Sequence, residues 1–146
     1  MRGADAWARR RRTWRVAVDY ERLRLSAEVD HPREGQGLLL ILADLDDYRV
    51  VPPAWRFVDE AGNSPKSAWP APGERLGGGG SIFHSQLVLC APFNRLAYAQ
   101  HGGPHGDWGA PTNWLAERPG IVRASNLGEM LAVIDLHLSV SPGRMS

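Results

Sequence analysis

Residues 38–58 read LLLILADLDDYRVVPPAWRFV. The apolar run Leu38–Ala43 follows DHPREGQG (residues 30–37), a Pro- and Gly-rich turn signal. Its length and flanks predict a buried strand over LLLILADL. Pro52 and Pro53 cannot sit inside a central strand, because proline has no N–H to give to the ladder. AWRFV, residues 54–58, therefore reads as a new strand, and DEAGN after it as a turn. Strand, interruption, strand is the pattern of a meander.

Outward from this segment the chain keeps that character. On its N-terminal side, Val16, Val18 and Tyr20, then Leu23, Leu25, Ala27 and Val29, alternate with polar residues. That spacing predicts one or two strands. Residues 4–14, ADAWARRRRTW, predict a short helix with Trp7, Arg11 and Trp14 on one side. On the C-terminal side, residues 64–81 read as a long loop. Its run Gly77–Gly80 lacks the lysine and Ser/Thr spacing of a phosphate-binding loop. SIFHSQLVLC, residues 81–90, is expected to be one strand. Period-two alternation would then place His84, Gln86, Val88 and Cys90 on one face, and Phe83, Leu87 and Leu89 on the other. Residues 91–124 read as irregular. Asn126 followed by Glu129 resembles a capping box, and Leu127, Met130, Leu131, Ile134 and Leu138 form a helical apolar stripe. The order predicts a single α+β domain over residues 1–146: N-terminal helix, antiparallel meander, irregular region, packing helix.

Composition narrows the function classes. A hydrophobic fraction of 43% suits a soluble domain with its own core. The longest apolar run is far too short to span a bilayer, so no membrane association is expected. The net charge of +1 gives no global field for nucleic acid. No apolar segment follows the N-terminal arginines, so a secretory signal is not expected and the cytoplasm is the expected compartment. One cysteine cannot form an intramolecular disulfide. The charge is even except at Arg9, Arg10, Arg11 and Arg12. That run is either a solvated helix face or a docking surface for an acidic partner.

Cys90 is the residue on which function turns. A lone cysteine is commonly a small buried apolar residue, yet this one is expected at a strand end before a loop. His101, His105 and Asp107 follow in that loop, and His84 precedes it. These, with His84 or Cys90, could make a zinc site, although HGGPH is a Gly/Pro loop and presets no ligand geometry. A papain-like hydrolase would need Cys90 at the start of a helix, whereas it is followed by Ala91-Pro92. His137 is expected to be an ordinary helix residue.

Four features in order resemble the ubiquitin-conjugating enzymes, over roughly residues 5–140. They are a basic N-terminal helix before a meander and the segment DYRVVPPAWRF, with Asp47, Tyr48, Pro52, Pro53 and Phe57 at the matching positions. The short strand LVLC and a Trp-containing loop (Trp108 or Trp114) before an amphipathic helix complete the set. The His-Pro-Asn that usually precedes the family's cysteine is missing from GGGGSIFHSQLVLC, and the loop after Cys90 is longer than usual. In both respects the chain is more similar to the compact bacterial relatives, which often sit in antiviral operons and are encoded with an activating enzyme, a ubiquitin-like protein and a deconjugating peptidase.

The resemblance implies a UBC-like fold and an acyl transfer through Cys90, with no cofactor. Cys90 would accept a ubiquitin-like protein from an activating enzyme and pass it to an amine on a protein target. Gln86 and Asn94 are then the candidates to support the oxyanion. His84, His101, His105 and Asp107 are the candidates to orient or deprotonate the amine, with His105 and His101 first. Arg9–Arg12 become the candidate docking face for the activating enzyme. The missing His-Pro-Asn leaves open a non-catalytic relative that binds a ubiquitin-like protein without forming a thioester.

Overall fold

The computed structural model describes residues 14–73, 80–116 and 124–146. Four strands form one antiparallel sheet in chain order: β1 (Trp14–Asp19), β2 (Arg24–Asp30), β3 (Leu38–Asp44) and β4 (Ala54–Val58). Register explains which residues are inside. Trp14 lies opposite Val29, Ala27 opposite Ile41, and Ile41 opposite Phe57. Because side chains alternate, these and Leu25, Leu39, Ala43 and Trp55 all fall on one buried face. The expected helix ending at Trp14 is corrected at that residue, which opens β1. The rest of that segment, including Arg9–Arg12, lies outside the described residues.

The expected buried strand over LLLILADL is β3, buried on one face. β3 buries Leu39, Ile41 and Ala43, but Leu38 on its other face is 44% exposed. That outer face carries Arg15, Ser26, Glu28, Leu40, Leu42 and Arg56. Asp44 there bonds both Arg24 (3.0 Å) and Arg56 (2.8 Å). The long apolar run is thus a half-buried strand whose outward positions happen to be leucines.

The helix α1 (Leu127–Leu138) begins where the capping residues require. Asn126 Oδ1 accepts from Glu129 N at 2.9 Å, and Glu129 Oε1 accepts from Ser125 N at 3.1 Å. Its stripe of Leu127, Met130, Leu131, Ile134 and Leu138 is buried and joins the same core as the inner sheet face. Trp14 Nε1 donates to Asp135 at 2.8 Å, which links the first strand to this last helix. After α1 the chain returns along Trp69–Ala71. Met145 N donates to Trp69 O and Ala71 N to Gly143 O, while Ser141 Oγ bonds buried His31 (3.1 Å). The architecture is therefore α+β: one antiparallel sheet and a C-terminal helix on its apolar face.

Candidate functional site

Residues 81–90 are not one strand. They form a small hairpin, β5 (Phe83–His84) against β6 (Val88–Leu89), with Phe83 opposite Leu89. Leu87 N donates to His84 O at 2.9 Å, and Leu87 takes a φ of 60°. The chain reverses there, so the alternation drawn through the whole segment breaks at Ser85–Leu87. Gln86 consequently sits in the exposed turn, not beside Cys90 on a shared strand face. His84 Nδ1 accepts from Gln86 N at 3.0 Å and so braces the turn.

Cys90 leaves the end of this hairpin. Its N–H donates to Ile82 O at 2.7 Å, fixing the backbone. Leu89 and Ala91 on either side are buried, while Cys90 itself is half-buried and free of any disulfide. Burial pushes its thiol up to about 11. At pH 7 that leaves roughly one thiolate in ten thousand molecules. The strand end presents a thiol at the surface but does not activate it.

Two buried side chains hang this segment from the sheet. Asn94 accepts from Trp55 N (2.8 Å) and Leu96 N (3.3 Å) through Oδ1. Through Nδ2 it donates to Leu89 O (2.8 Å) and Trp55 O (3.3 Å). It therefore closes the outer edge of β4 and ties it to β6. Both amide hydrogens are engaged, so neither is free to meet an oxyanion at Cys90. Arg95 does the corresponding work for the β3–β4 connection. Its Nε donates to Pro52 O (2.8 Å), its NH2 to the carbonyls of Asp44 and Asp46, and its NH1 meets the Asp46 carboxylate at 3.2 Å. The backbone N–H of Arg95 adds a bond to Pro53 O at 3.0 Å. Pro52 and Pro53 thus lie just before β4, outside the ladder as their sequence demands, and offer their carbonyls to the segment that follows the cysteine.

The loop beyond folds back on this support. Tyr98 Oη donates to Pro92 O at 2.7 Å, two residues from Cys90. The Tyr98 ring meets Trp108 edge-on at 5.4 Å, and His105 stacks flat on Trp108 with centroids 3.6 Å apart. His105 Nδ1 lies 3.2 Å from an oxygen of the exposed Asp107 carboxylate. Gly103 is required here: a Cβ would come within 2.3 Å of the Ala97 and Leu96 backbone. His101 is exposed at the end of a 3-10 turn, before the left-handed Gly102. Trp114 packs on Tyr48 at 6.1 Å and donates to Arg49 O at 3.0 Å.

The structure therefore brings His105, Asp107, Trp108 and Tyr98 together and links them to Pro92. It joins none of His84, His101 or His105 to the Cys90 thiol by a hydrogen bond among the described residues. Among those residues no group of three or more His, Cys, Asp or Glu side chains is placed to hold a metal ion, which removes the ligand set of the zinc alternative. Sequence reasoning missed Arg95, and it read His137 as an ordinary helix residue, which places it in the helix but not against the hairpin. The signal for Arg95 was a single arginine inside the otherwise nearly uncharged APFNRLAYA. His137 is buried under the hairpin, with its ring against Phe83 at 6.2 Å and Nδ1 at 3.4 Å from Ile82 N. Its place three residues after Ile134, on the side of the apolar stripe, was the available signal.

No family model, curated protein or solved structure matches this chain. No helix among the described residues is long and apolar enough to cross a membrane.

Proposed function

We propose that the chain is a compact, UBC-like conjugating enzyme with Cys90 as its acyl carrier. The carrying observation is the placement of Cys90. It is a half-buried thiol between two buried neighbours, on a hairpin end closed by the Ile82 carbonyl and tied to the sheet by Asn94. The order of meander, Pro-Pro connection, cysteine, irregular loop and packing helix supports the same reading.

The Cys90 thiolate attacks the thioester carbonyl carried by an activating enzyme. A new S–C bond forms, and the activating enzyme's thiolate leaves. A target amine then attacks the Cys90 thioester, loses a proton, and expels the Cys90 thiolate. Thioester exchange runs through the Cys90 thiolate, a strong nucleophile, and burial keeps that form scarce in the protein alone. Of the candidates, the His105–Asp107 pair is the proposed proton acceptor, because the Asp107 carboxylate lies 3.2 Å from His105 Nδ1 and can orient the ring. Asn94 acts as a scaffold. Arg9–Arg12 remain the proposed docking face for the activating enzyme.

A second reading has a specific observation behind it. The unactivated thiol and the fully occupied Asn94 both fit a relative that binds a ubiquitin-like protein without forming a thioester. Co-expression with the genomic neighbours, followed by intact-mass spectrometry with and without reductant, separates the two. The catalytic reading expects a reductant-labile adduct of small-protein mass that is lost in Cys90→Ala. Co-purification of a partner without any adduct, beside an active activating enzyme, replaces it with the binding reading.

A further inference from the structure

The two edges of the sheet are finished differently. On β4, Asn94 occupies both the N–H and the carbonyl of Trp55, and Ser64 Oγ donates to Phe57 O. That edge is closed by the chain's own side chains. β1 is the other outermost strand, and among the described residues it pairs only with β2. An open edge is a template for another strand unless charge, proline or a bulge blocks it. β1, WRVAVD, carries neither proline nor lysine. Its two charges, Arg15 and Asp19, have opposite signs and share the outer face with Ala17 between them.

We propose that β1 pairs with β1 of a second copy, antiparallel and centred on Ala17, so that one sheet runs through both molecules. Ala17 then faces its own counterpart, Val16 of each copy faces Val18 of the other, and Arg15 of each faces Asp19 of the other. The pairing is isologous: one two-fold axis makes every contact twice. It is also selective, because no other centre within the strand sets both arginines opposite both aspartates.

Three observations support a second copy as the occupant. Arg15 has a side chain 85% exposed, held among the described residues by a 3.7 Å contact to Glu28. Asp19 is 49% exposed: its Oδ1 accepts from Glu21 N and Arg22 N, and its Oδ2 lies 3.8 Å from Arg22, a loose contact that a cross-strand arginine can replace. Val16 and Val18 pack on the core but stay half-buried at the edge, so a facing pair of valines completes their cover. Tyr20, next to the strand's C-terminal end, is 63% exposed, so a second strand on this edge gives it cover as well. The inference does not depend on the chemistry of Cys90.

Sedimentation velocity on the full chain, from about 10 µM to about 1 mM, tests it. The wild type is expected to form a dimer that weakens as salt is raised. Arg15→Asp and Asp19→Arg each turn two attractive pairs into two repulsive ones and should weaken dimerisation about tenfold or more. An equimolar mixture of the two variants restores both pairs and should form a heterodimer at wild-type strength. The double variant should likewise dimerise with itself. Asp19 also accepts from Glu21 N and Arg22 N, so circular dichroism melts accompany each variant. Arg15→Asp alone, which breaks no buried contact, keeps the test decisive if Asp19→Arg fails to fold. A wild type that stays monomeric throughout overturns the proposal. So does a dimer indifferent to Arg15→Asp, or folded variants that do not recover on mixing.

Discussion

The sheet and the segment from Ile82 to Trp114 solve one problem in two ways. Between β1 and β4, backbone groups bond to the next strand, and side chains are left to pack. From Ile82 onward the hairpin has only two residues per strand, and the rest is 3-10 turns and loop. There the backbone is held by buried polar side chains: Asn94, Arg95 and Trp114 reach carbonyls 39, 43 and 65 residues away, and Tyr98 reaches back to Pro92. A ladder tolerates the loss of one side chain. A segment suspended from a few side chains does not, and that contrast is measurable.

The largest effect is expected at Asn94. Asn94→Ala leaves the N–H and the carbonyl of Trp55 without their partner inside the core, and takes one of two donors from the Leu89 carbonyl, which keeps Ala91 N. Each orphaned group costs about 1–3 kcal/mol, so urea unfolding should show a loss of about 4 kcal/mol. An exposed sheet residue such as Ser26→Ala should change stability by less than about 0.5 kcal/mol. A similar small loss at Asn94 would break the comparison.

Arg95→Lys comes next. It keeps the charge but cannot reach Pro52, Asp44 and Asp46 together, because an ammonium lacks the planar fork. A loss of about 2–3 kcal/mol is expected by urea unfolding, with hydrogen exchange rising first at residues 90–98. If lysine substitutes without cost, the buried guanidinium is not what holds the cysteine segment to the Pro-Pro carbonyls.

This division also explains what could be read in the sequence. The sheet's strands and α1 were legible because their packing repeats: Leu25, Ala27 and Val29 at period two, Leu127 to Leu138 at the helical period. Asn126 and Glu129 even marked the helix start. The hairpin was not legible, because Leu87 occupies a left-handed position that glycine or asparagine normally signals. SIFHSQLVLC therefore looked like an unbroken strand. At the candidate site, Cys90 was findable by its uniqueness, and its place at the end of a strand was read correctly. The roles of Asn94 and Arg95 were not, since hydrogen bonds across 39 to 51 residues leave no local pattern.

The buried histidines give a weaker effect with a defined sign. His137 lies below its ordinary value of 6.5 because burial disfavours the cation, and His31 is lowered by burial and then by the nearby Arg144 and Arg33. The unfolded chain therefore binds their protons more readily than the folded protein does. Stability should be complete above about pH 6.5 and decline as pH falls below it. His31 anchors the C-terminal return and His137 supports the hairpin. Replacing His137 with asparagine, which retains an acceptor near Nδ1, should flatten part of that slope in urea titrations at pH 5, 6 and 7. An unchanged slope would assign the acid sensitivity to the sheet side of the molecule.

The smallest effects carry the comparison furthest, because they differ in sign. Leu23 and Leu87 have nearly the same left-handed backbone, with φ of 52° and 60°. For a branched side chain that conformation costs about 1–2 kcal/mol. Leu23 closes the β1–β2 turn and is 42% exposed, so its side chain returns little. Leu87 closes the β5–β6 turn, and its side chain packs against the core. Leu23→Gly removes the strain at the cost of some unfolded-state entropy, and should raise stability by about 0.5 kcal/mol. Leu87→Gly removes the same strain but also the apolar contact, and should lower stability by about 1 kcal/mol. A gain at both positions would mean that the hairpin, like the sheet, is held by its backbone alone. Opposite signs would confirm that the segment presenting Cys90 depends on side chains even where its turn is strained.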